Sequence, residues 1–319
     1  MNEAARKAGI EIALIGAQRT ATVEALERDF TVHHVYRAKD PLAALREVGA
    51  RVRGAASNGM AGISRAQIEV LPKLEICAIN GVGLETSDVA ACRERRITLT
   101  IAPVLYDDVA DLAVTLALDA CRLVTQGDRF VRAGRWASGH PSLGRKFTGA
   151  RAGIIGLGHI GIEVARRLEA FKAEIAYVDP VPREVPYRRY PDAVTLAQNS
   201  DILFLCAAGA RKGTAPPIVD RAVIDALGPR SVFVNIARGW LVDEEALVAA
   251  LVARRLGAAG LDVFYDEPNV PAPLIALDNV VLTPHIASST EETMKAMGEC
   301  VVGNLVSWFA GRGALTPAR

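Results

Sequence analysis

Cysteine is scarce in this chain, and it is scattered. The five cysteines are odd in number and never form a C-x-x-C pair; they are Cys77, Cys92, Cys121, Cys206 and Cys300. Disulfide-stabilised domains and structural zinc sites need cysteines in regular, closely spaced sets. No His, Asp and Glu spacing suggests a metal either, so the sequence predicts neither a disulfide framework nor a metal site.

Long apolar runs are missing as well. No stretch of about 18 apolar residues is free of charge, so no membrane-spanning helix is expected. Residues Met1 to Arg6 lack the charged-then-apolar pattern of a secretory signal. These absences favour a cytoplasmic protein with no membrane partner.

The chain also lacks an excess of charge of either sign. Lys and Arg together number 37 and Asp and Glu 36, which gives no electrostatic reason to bind nucleic acid or an anionic membrane. Half of the 319 residues are hydrophobic and 23% are charged, a composition typical of folded domains. A chain of this length is expected to form about two of them.

Short apolar runs alternate with amphipathic stretches almost from end to end. The first series of strand and helix patterns covers 10–16, 22–29, 30–35, 41–48, 53–57, 64–70, 74–79 and 87–95. A second series has strand patterns at 152–156, 173–178, 201–205, 231–237, 258–264 and 279–283, and long helix patterns at 107–131 and 291–309 flank it. Such βαβα repetition predicts an α/β protein with parallel sheets covered by helices.

The two series predict two doubly wound domains of the Rossmann or flavodoxin-like kind, one inserted into the other. We expect residues 103–288 to form the inserted domain. Residues 1–102 and 289–319 would form the outer domain, with the long helices carrying the chain across.

A glycine-rich turn, Gly156-Leu157-Gly158-His159-Ile160-Gly161, follows the strand pattern at 152–156 and opens a helix pattern. Gly156 permits a tight turn, Gly158 lets the backbone approach a pyrophosphate, and Gly161 lets helix and strand pack closely. The helix N-terminus would then face the phosphates with free N–H groups.

An acidic residue, Asp179, ends the next strand pattern. A carboxylate at this distance from the glycine turn can accept hydrogen bonds from the adenosine ribose and repel a 2′-phosphate, which favours NAD(H). Arg183, Arg188 and Arg189 follow closely, and one of them could bind a phosphate instead. NADP(H) therefore stays possible.

Three polar residues, Arg238, Glu267 and His285, sit just past three strand patterns of the second series. The carboxyl ends of parallel strands share one edge of a sheet, where ligands bind. Arg238 offers a charged planar fork for a carboxylate and a developing oxyanion. His285 can protonate that oxygen, and Glu267 can hold the other ring nitrogen and favour the imidazolium.

The block from Asn80 to Pro317 resembles the D-isomer-specific 2-hydroxyacid dehydrogenases, especially the glyoxylate/hydroxypyruvate and hydroxyphenylpyruvate reductase branch. The matching stretches are NGVGLETSDV, DDVADLAVTLAL, GIIGLGHIG, IDALGPRSVFVNIARG, LVDEEALVAAL, GAAGLDVFYDEP and NVVLTPHIASST. The resemblance implies reduction of a small 2-oxo acid by a nicotinamide cofactor, with Arg238, Glu267 and His285 as the catalytic set. It also implies a homodimer, with Asp107 to Val131 near the subunit contact.

Further site residues follow from the motif and the resemblance together. The substrate carboxylate is expected on the backbone N–H groups of Val82 and Gly83, beside Arg238 and His285, and Asp262 is expected to contact the nicotinamide carboxamide. The predicted cofactor-binding residues are Gly156, Gly158, His159, Ile160, Gly161, Asp179, Ala237 and Asp262. The inserted domain, 103–288, is therefore expected to bind NAD(P), and the outer domain, 1–102 with 289–319, is expected to bind the substrate.

Some features depart from the family pattern. Relatives in this branch often carry a serine/arginine pair that suits NADP where this chain has Asp179-Pro180-Val181, which supports NAD. Trp240 stands where a small residue or proline is common, and the segment from Ala207 to Pro217 has an unusual form.

Two other functions stay open at this point. The first is an NAD-sensing, corepressor-like binding protein, which can keep the Arg–Glu–His set; the absence of long disordered or basic extensions argues against it. The second is a dehydrogenase of the formate or phosphite type, and Glu267 argues against that.

Overall fold

Two parallel β-sheets organise the part of the chain that the computed structural model describes, residues 9–318. The expectation about Met1 to Arg6 lies outside the described residues. The described chain divides into two units: the first runs as far as Leu105 and resumes at Ser289, and the second is Tyr106–Ser288. Both are alternating α/β units, so the predicted fold class is confirmed.

The first unit contains a five-stranded sheet with the order β2-β1-β3-β4-β5, in which every pair is parallel. Its strands are β1 (Glu11–Leu14), β2 (Thr31–His33), β3 (Val52–Asn58), β4 (Ile76–Asn80) and β5 (Thr98–Thr100). Its helices are α1 (Thr20–Asp29), α2 (Pro41–Val48), α3 (Arg65–Glu69), α4 (Val89–Glu94) and, after the second unit, α12 (Glu291–Phe309).

Side-chain caps define where the helices of this unit begin. The Asp40 carboxylate accepts a hydrogen bond from the Ala43 N–H, 2.9 Å away, and Pro41 occupies the first turn of α2. The Thr290 hydroxyl accepts from the Thr293 N–H at the start of α12. These two helices match the predicted bounds, because capping and periodicity agree there.

The second unit contains a seven-stranded parallel sheet with the order β12-β11-β10-β9-β6-β7-β8. Its strands are β6 (Arg151–Ile155), β7 (Glu174–Val178), β8 (Arg188–Arg189), β9 (Ile202–Leu205), β10 (Val232–Asn235), β11 (Ala258–Leu261) and β12 (Val280–Leu282). Its helices are α5 (Tyr106–Arg122), α6 (Val124–Arg132), α7 (His159–Ala170), α8 (Ala193–Gln198), α9 (Arg221–Ala226), α10 (Glu244–Val252) and α11 (Ala272–Ala276).

The chain reverses its direction of travel across this second sheet between β6 and β9. From β6 it proceeds outward to β7 and β8, and from β9 it proceeds the opposite way to β12. Connections on the two sides of such a switch point diverge, which opens a crevice at the carboxyl ends of the strands. Every site residue predicted in this unit lies near that edge.

The prediction of a single long helix at 107–131 is wrong. The structure has two helices there, α5 and α6, separated by Leu123 in a left-handed conformation with φ 58°. The Asp119 carboxylate accepts from the Thr125 N–H at 2.8 Å and so satisfies the start of the second helix. An apolar periodicity that continues through the break hides this local cap.

Two short strands were not predicted, β5 and the two-residue β8.

Among the described residues, no helix has the length and apolar character needed to cross a membrane. All five cysteines are free thiols, and four of them are buried.

Candidate active site

The glycine turn joins β6 to α7 and depends on close backbone contacts. Gly156 has φ 89°, and a Cβ there would lie 2.5 Å from the Cα of Ala207. A Cβ on Gly161 would lie 2.2 Å from the carbonyl oxygen of Gly156. Both positions therefore require glycine for packing within the protein itself.

Packing within the protein does not require a glycine at position 158, because a Cβ on Gly158 would meet no protein atom within 4 Å. It caps α7 without a side chain, so the N–H groups of the first turn, which includes His159 and Ile160, lack an intrahelical acceptor and a capping oxygen. The open space and the N–H groups together form a cradle that fits a dinucleotide pyrophosphate. The His159 ring lies to one side, stacked on Tyr106 with 4.8 Å between centroids.

Asp179 follows β7 and is buried, with 7% of its surface exposed. Its carboxylate accepts hydrogen bonds from the N–H groups of Leu157 and Val181, both at 2.9 Å, and so ties the strand end to the glycine turn. The Arg183 guanidinium approaches the same carboxylate at 3.4 Å. The acid that the sequence assigns to the ribose thus has structural partners and a neighbouring cation as well.

The other two arginines near Asp179 contact groups other than its carboxylate. Arg189 donates to the carbonyl oxygen of Asp179 at 2.9 Å, and the Arg188 guanidinium lies over the Tyr190 ring, 4.7 Å from its centroid. Arg183 is therefore the arginine that reaches the Asp179 carboxylate.

Arg238 follows β10, and the strand's last residue braces it. The buried Asn235 side chain donates to the Arg238 carbonyl oxygen at 3.1 Å and accepts from the Ala237 N–H at 3.0 Å. Gly239 then permits a close approach, since a Cβ there would lie 1.9 Å from the carbonyl carbon of Phe264. The β10 and β11 connections are thereby brought together.

Sequence reasoning did not single out Asn235 or Gly239. Asn235 gives a signal, because an asparagine in an otherwise apolar strand has to find hydrogen-bond partners when buried. Gly239 gives no comparable signal, because its need for a small residue depends on a contact between two distant connections.

Glu267 and His285 form a direct pair. The His285 Nδ1 and the Glu267 Oε2 are 2.7 Å apart. The other carboxylate oxygen accepts from the Phe264 N–H at 3.1 Å, which closes a turn around the glutamate. With Nδ1 engaged, Nε2 is the ring nitrogen of His285 that can exchange a proton with a ligand.

Asp262, at the end of β11, holds the segment that carries His285. It is fully buried, and its carboxylate accepts from the Thr283 hydroxyl at 2.7 Å and from the N–H groups of Ile286 and Ala287 at 2.8 and 2.9 Å. The Asp262 carbonyl oxygen also accepts from the His285 N–H at 2.8 Å. His285 has φ 54°, an uncommon backbone state for a non-glycine residue that these bonds stabilise.

The two acids differ in their electrostatics. Burial acts to raise the pKa of Glu267, but the hydrogen bonds from His285 and the Phe264 N–H and the charges of His285 and Arg238 hold that pKa below its ordinary value. Burial raises the pKa of Asp262, although its hydrogen bonds oppose the shift. Glu267 is therefore the better anionic partner for an imidazolium, and Arg238 is close enough for its charge to act on it.

Val82 and Gly83 belong to the first unit. They follow β4, at the carboxyl edge of the five-stranded sheet, and both are partly exposed. The preceding Gly81 adopts φ 149°, and its carbonyl oxygen accepts from the Ala102 N–H at 2.8 Å. A glycine-permitted turn at a sheet edge is compatible with the predicted anion site, whose role stays a prediction.

In residues 9–318, no group of three or more His, Cys, Asp or Glu side chains is placed to hold a metal ion.

Comparison with known proteins identifies the relatives of the chain. The profile of the D-isomer specific 2-hydroxyacid dehydrogenase NAD binding domain matches residues 114–287. Glyoxylate/hydroxypyruvate reductase A HPR2 of Arabidopsis thaliana is 44% identical over 92% of this chain and 93% of its own length. Hydroxyphenylpyruvate reductase of Plectranthus scutellarioides is 48% identical over 83% of this chain and 85% of its own.

A solved structure agrees with these relatives. The NADPH-dependent glyoxylate/hydroxypyruvate reductase of Sinorhizobium meliloti, in complex with NADP and malonate, superposes with a TM-score of 0.88 at 36% identity. The match covers 97% of this chain and 96% of that one.

Two glycines of the turn, Gly158 and Gly161, should separate binding from folding. Gly158→Ala places a methyl group in the open cradle, so we expect NADH affinity to fall by about tenfold or more, while the free energy of unfolding changes by less than about 1 kcal/mol. Gly161→Ala forces a backbone clash and should lower that free energy by about 1–3 kcal/mol. NADH fluorescence titration and urea unfolding of the cofactor-free protein measure both; unchanged NADH binding by Gly158→Ala would contradict the cradle.

Proposed function

Since this chain belongs to the D-isomer-specific 2-hydroxyacid dehydrogenase family, we propose that it reduces a small 2-oxo acid of the glyoxylate or hydroxypyruvate type to the D-2-hydroxy acid. The observation that carries the proposal is the His285–Glu267 pair, 2.7 Å apart, at the same sheet edge as Arg238. The two curated relatives described above act on substrates of this class by name. The nicotinamide cofactor, when bound, supplies the hydride.

Each side chain of the set has a distinct task. The guanidinium of Arg238 binds the substrate carboxylate and stabilises the negative charge that develops on the carbonyl oxygen. His285 donates a proton to that oxygen from Nε2 and takes it back in the oxidative direction. Glu267 stays ionised, fixes the ring through Nδ1, and stabilises the imidazolium.

We assign the remaining residues by the same scheme. Residues 103–288 bind the cofactor through the glycine turn, Asp179 and the Ala237 segment, and residues 1–102 with 289–319 bind the substrate carboxylate through Val82 and Gly83. Asp262 supports the His285 segment in the structure; its contact with the nicotinamide carboxamide is the part of its predicted role that comes from the family resemblance.

The proton-transfer role predicts a specific loss. Wild type should oxidise NADH when glyoxylate or hydroxypyruvate is added, and His285→Ala should lower kcat by about 10²–10⁴ because general acid–base catalysis is removed. NADH binding, followed by fluorescence, should stay near the wild-type level. A variant that keeps more than about a third of the wild-type kcat would exclude His285 as the proton donor.

For the cofactor we propose NAD(H) in preference to NADP(H). The support is the buried Asp179 carboxylate at the end of β7, which would repel a 2′-phosphate. The competing observation is Arg183, 3.4 Å from that carboxylate, together with the NADPH dependence of the Sinorhizobium meliloti relative. The carboxylate is fixed by two backbone N–H groups, whereas the Arg183 side chain is 38% exposed, which supports assigning the preference to the acid.

Asp179 and Arg183 should shift cofactor preference in opposite directions. Asp179→Ser removes the repulsion and a charged acceptor worth roughly 1.5–3 kcal/mol, so the ratio of kcat/KM for NADH over NADPH should fall by about tenfold or more. Arg183→Met should raise the same ratio. If wild type already prefers NADPH, an arginine supplies the phosphate site and the proposal for Asp179 is wrong.

We further propose that the protein is a homodimer that pairs through residues 124–143. Helix α6 has no buried residue, and Val124, Val131, Trp136 and Leu143 are 62%, 53%, 65% and 95% exposed. Large apolar side chains left exposed along one segment are characteristic of an interface. Sedimentation velocity should show a dimer for wild type and a monomer for Leu143→Lys; a wild-type monomer at micromolar concentration would contradict the proposal.

A further inference from the structure

The segment between β9 and α9 carries contacts that the proposed function does not use. Its first residues start beside the glycine turn, where the Cα of Ala207 leaves no room for a Cβ on Gly156. Three residues on, the carbonyl oxygen of Ala210 accepts a hydrogen bond from the Trp240 Nε1 at 3.0 Å. The segment therefore runs along the carboxyl edge of the sheet from β6 towards β10.

Lys212 extends this path to the connection that follows β11. Its Nζ donates to the carbonyl oxygen of Tyr265 at 2.7 Å and lies 4.2 Å from the centroid of the Tyr265 ring. One ammonium group thus contacts both the main chain and the ring of the same residue. We call the contact between Lys212 and Tyr265 the clasp.

Tyr265 is held from its other side as well. Its N–H donates to the Glu244 carboxylate at 3.0 Å, so the backbone of Tyr265 is bonded in both directions. The residue before it, Phe264, donates its N–H to Glu267, and Glu267 contacts His285. A short chain of bonds therefore leads from Lys212 through Tyr265 to the Glu267 turn.

We propose that Lys212 is a positioning residue, which through the clasp fixes the turn from Phe264 to Glu267 and so keeps the Glu267 carboxylate on the Nδ1 of His285. The proposal rests on the proposed function for its effect on turnover, but the placement of Glu267 can be measured without it. Lys212 reaches the site through the Tyr265 turn.

Charge and position have opposite consequences here, which makes the proposal testable. The charged groups that act at the His285–Glu267 pair are Glu267, Asp262 and Arg238. If Lys212 acted only as a cation, its removal would favour the imidazolium. If it positions Glu267, its removal weakens the ion pair and disfavours the imidazolium.

The experiment compares Lys212→Met with Lys212→Arg and with the control Arg211→Met, which removes a neighbouring exposed cation from the same segment. In ¹⁵N-histidine NMR of the cofactor-free protein at one fixed pH, Lys212→Met should lower the fraction of His285 in the imidazolium form, because the ion pair with Glu267 is weakened. Its kcat for hydroxypyruvate should fall by about threefold to tenfold, since exposed contacts of this kind are weak, with little change in NADH dissociation constant. Lys212→Arg should restore most of both quantities, and Arg211→Met should leave both near wild type.

Two results would overturn the proposal: an imidazolium fraction that rises in Lys212→Met, which shows a charge effect alone, or Lys212→Met behaving like Arg211→Met. Absence of oxo-acid turnover in wild type would instead count against the proposed function, because the NMR measurement does not depend on turnover.

Discussion

The carboxylate of Asp262 is the interaction on which the geometry of the site depends. It is fully buried, and it can be tolerated there only because three donors from residues 283–287 satisfy its oxygens. Those same bonds fix the left-handed backbone of His285 and aim its ring across the sheet edge at Glu267. The buried Asp262 carboxylate, just after β11, therefore fixes the position of the histidine that follows β12.

The remaining parts of the site attach to this fixed point. Glu267 is half-buried, yet it stays acidic because His285, the Phe264 N–H and the charge of Arg238 offset the cost of burial. Gly239 lets the connection after β10, which carries Arg238, contact the Phe264 backbone in the connection after β11, which carries Glu267. This contact holds the arginine and the glutamate on neighbouring connections. The glycine turn at the start of α7 lies at the same carboxyl edge, as the switch in strand order between β6 and β9 requires.

The parts that the sequence could predict are those determined locally. Strand periodicity located β1, β6 and β9, and helix periodicity gave the bounds of α2 and α12. The parts it could not predict depend on a single bond or on distant contacts. The break at Leu123 depends on one carboxylate, and the two-residue β8 consists of charged residues that pair only because β7 lies beside them.

The candidate site shows the same division. Arg238, Glu267 and His285 could be predicted because they follow strand patterns, and a buried asparagine in an apolar strand marks Asn235. Gly239 and Lys212, in contrast, act through contacts between distant connections that no spacing reveals. Asp179 was assigned to the ribose, and the structure adds its bonds to Leu157 and Val181 and the nearby Arg183.

The proposed reaction can be tested by following the hydride itself. The enzyme is given hydroxypyruvate and NADH that carries deuterium at the transferable C4 position, and the product is analysed by mass spectrometry and chiral chromatography. Direct hydride transfer predicts one deuterium on C2 of the D-2-hydroxy acid, formed in equal amount to the cofactor oxidised. An unlabelled product, the L-isomer, or no cofactor oxidation with any 2-oxo acid would contradict it.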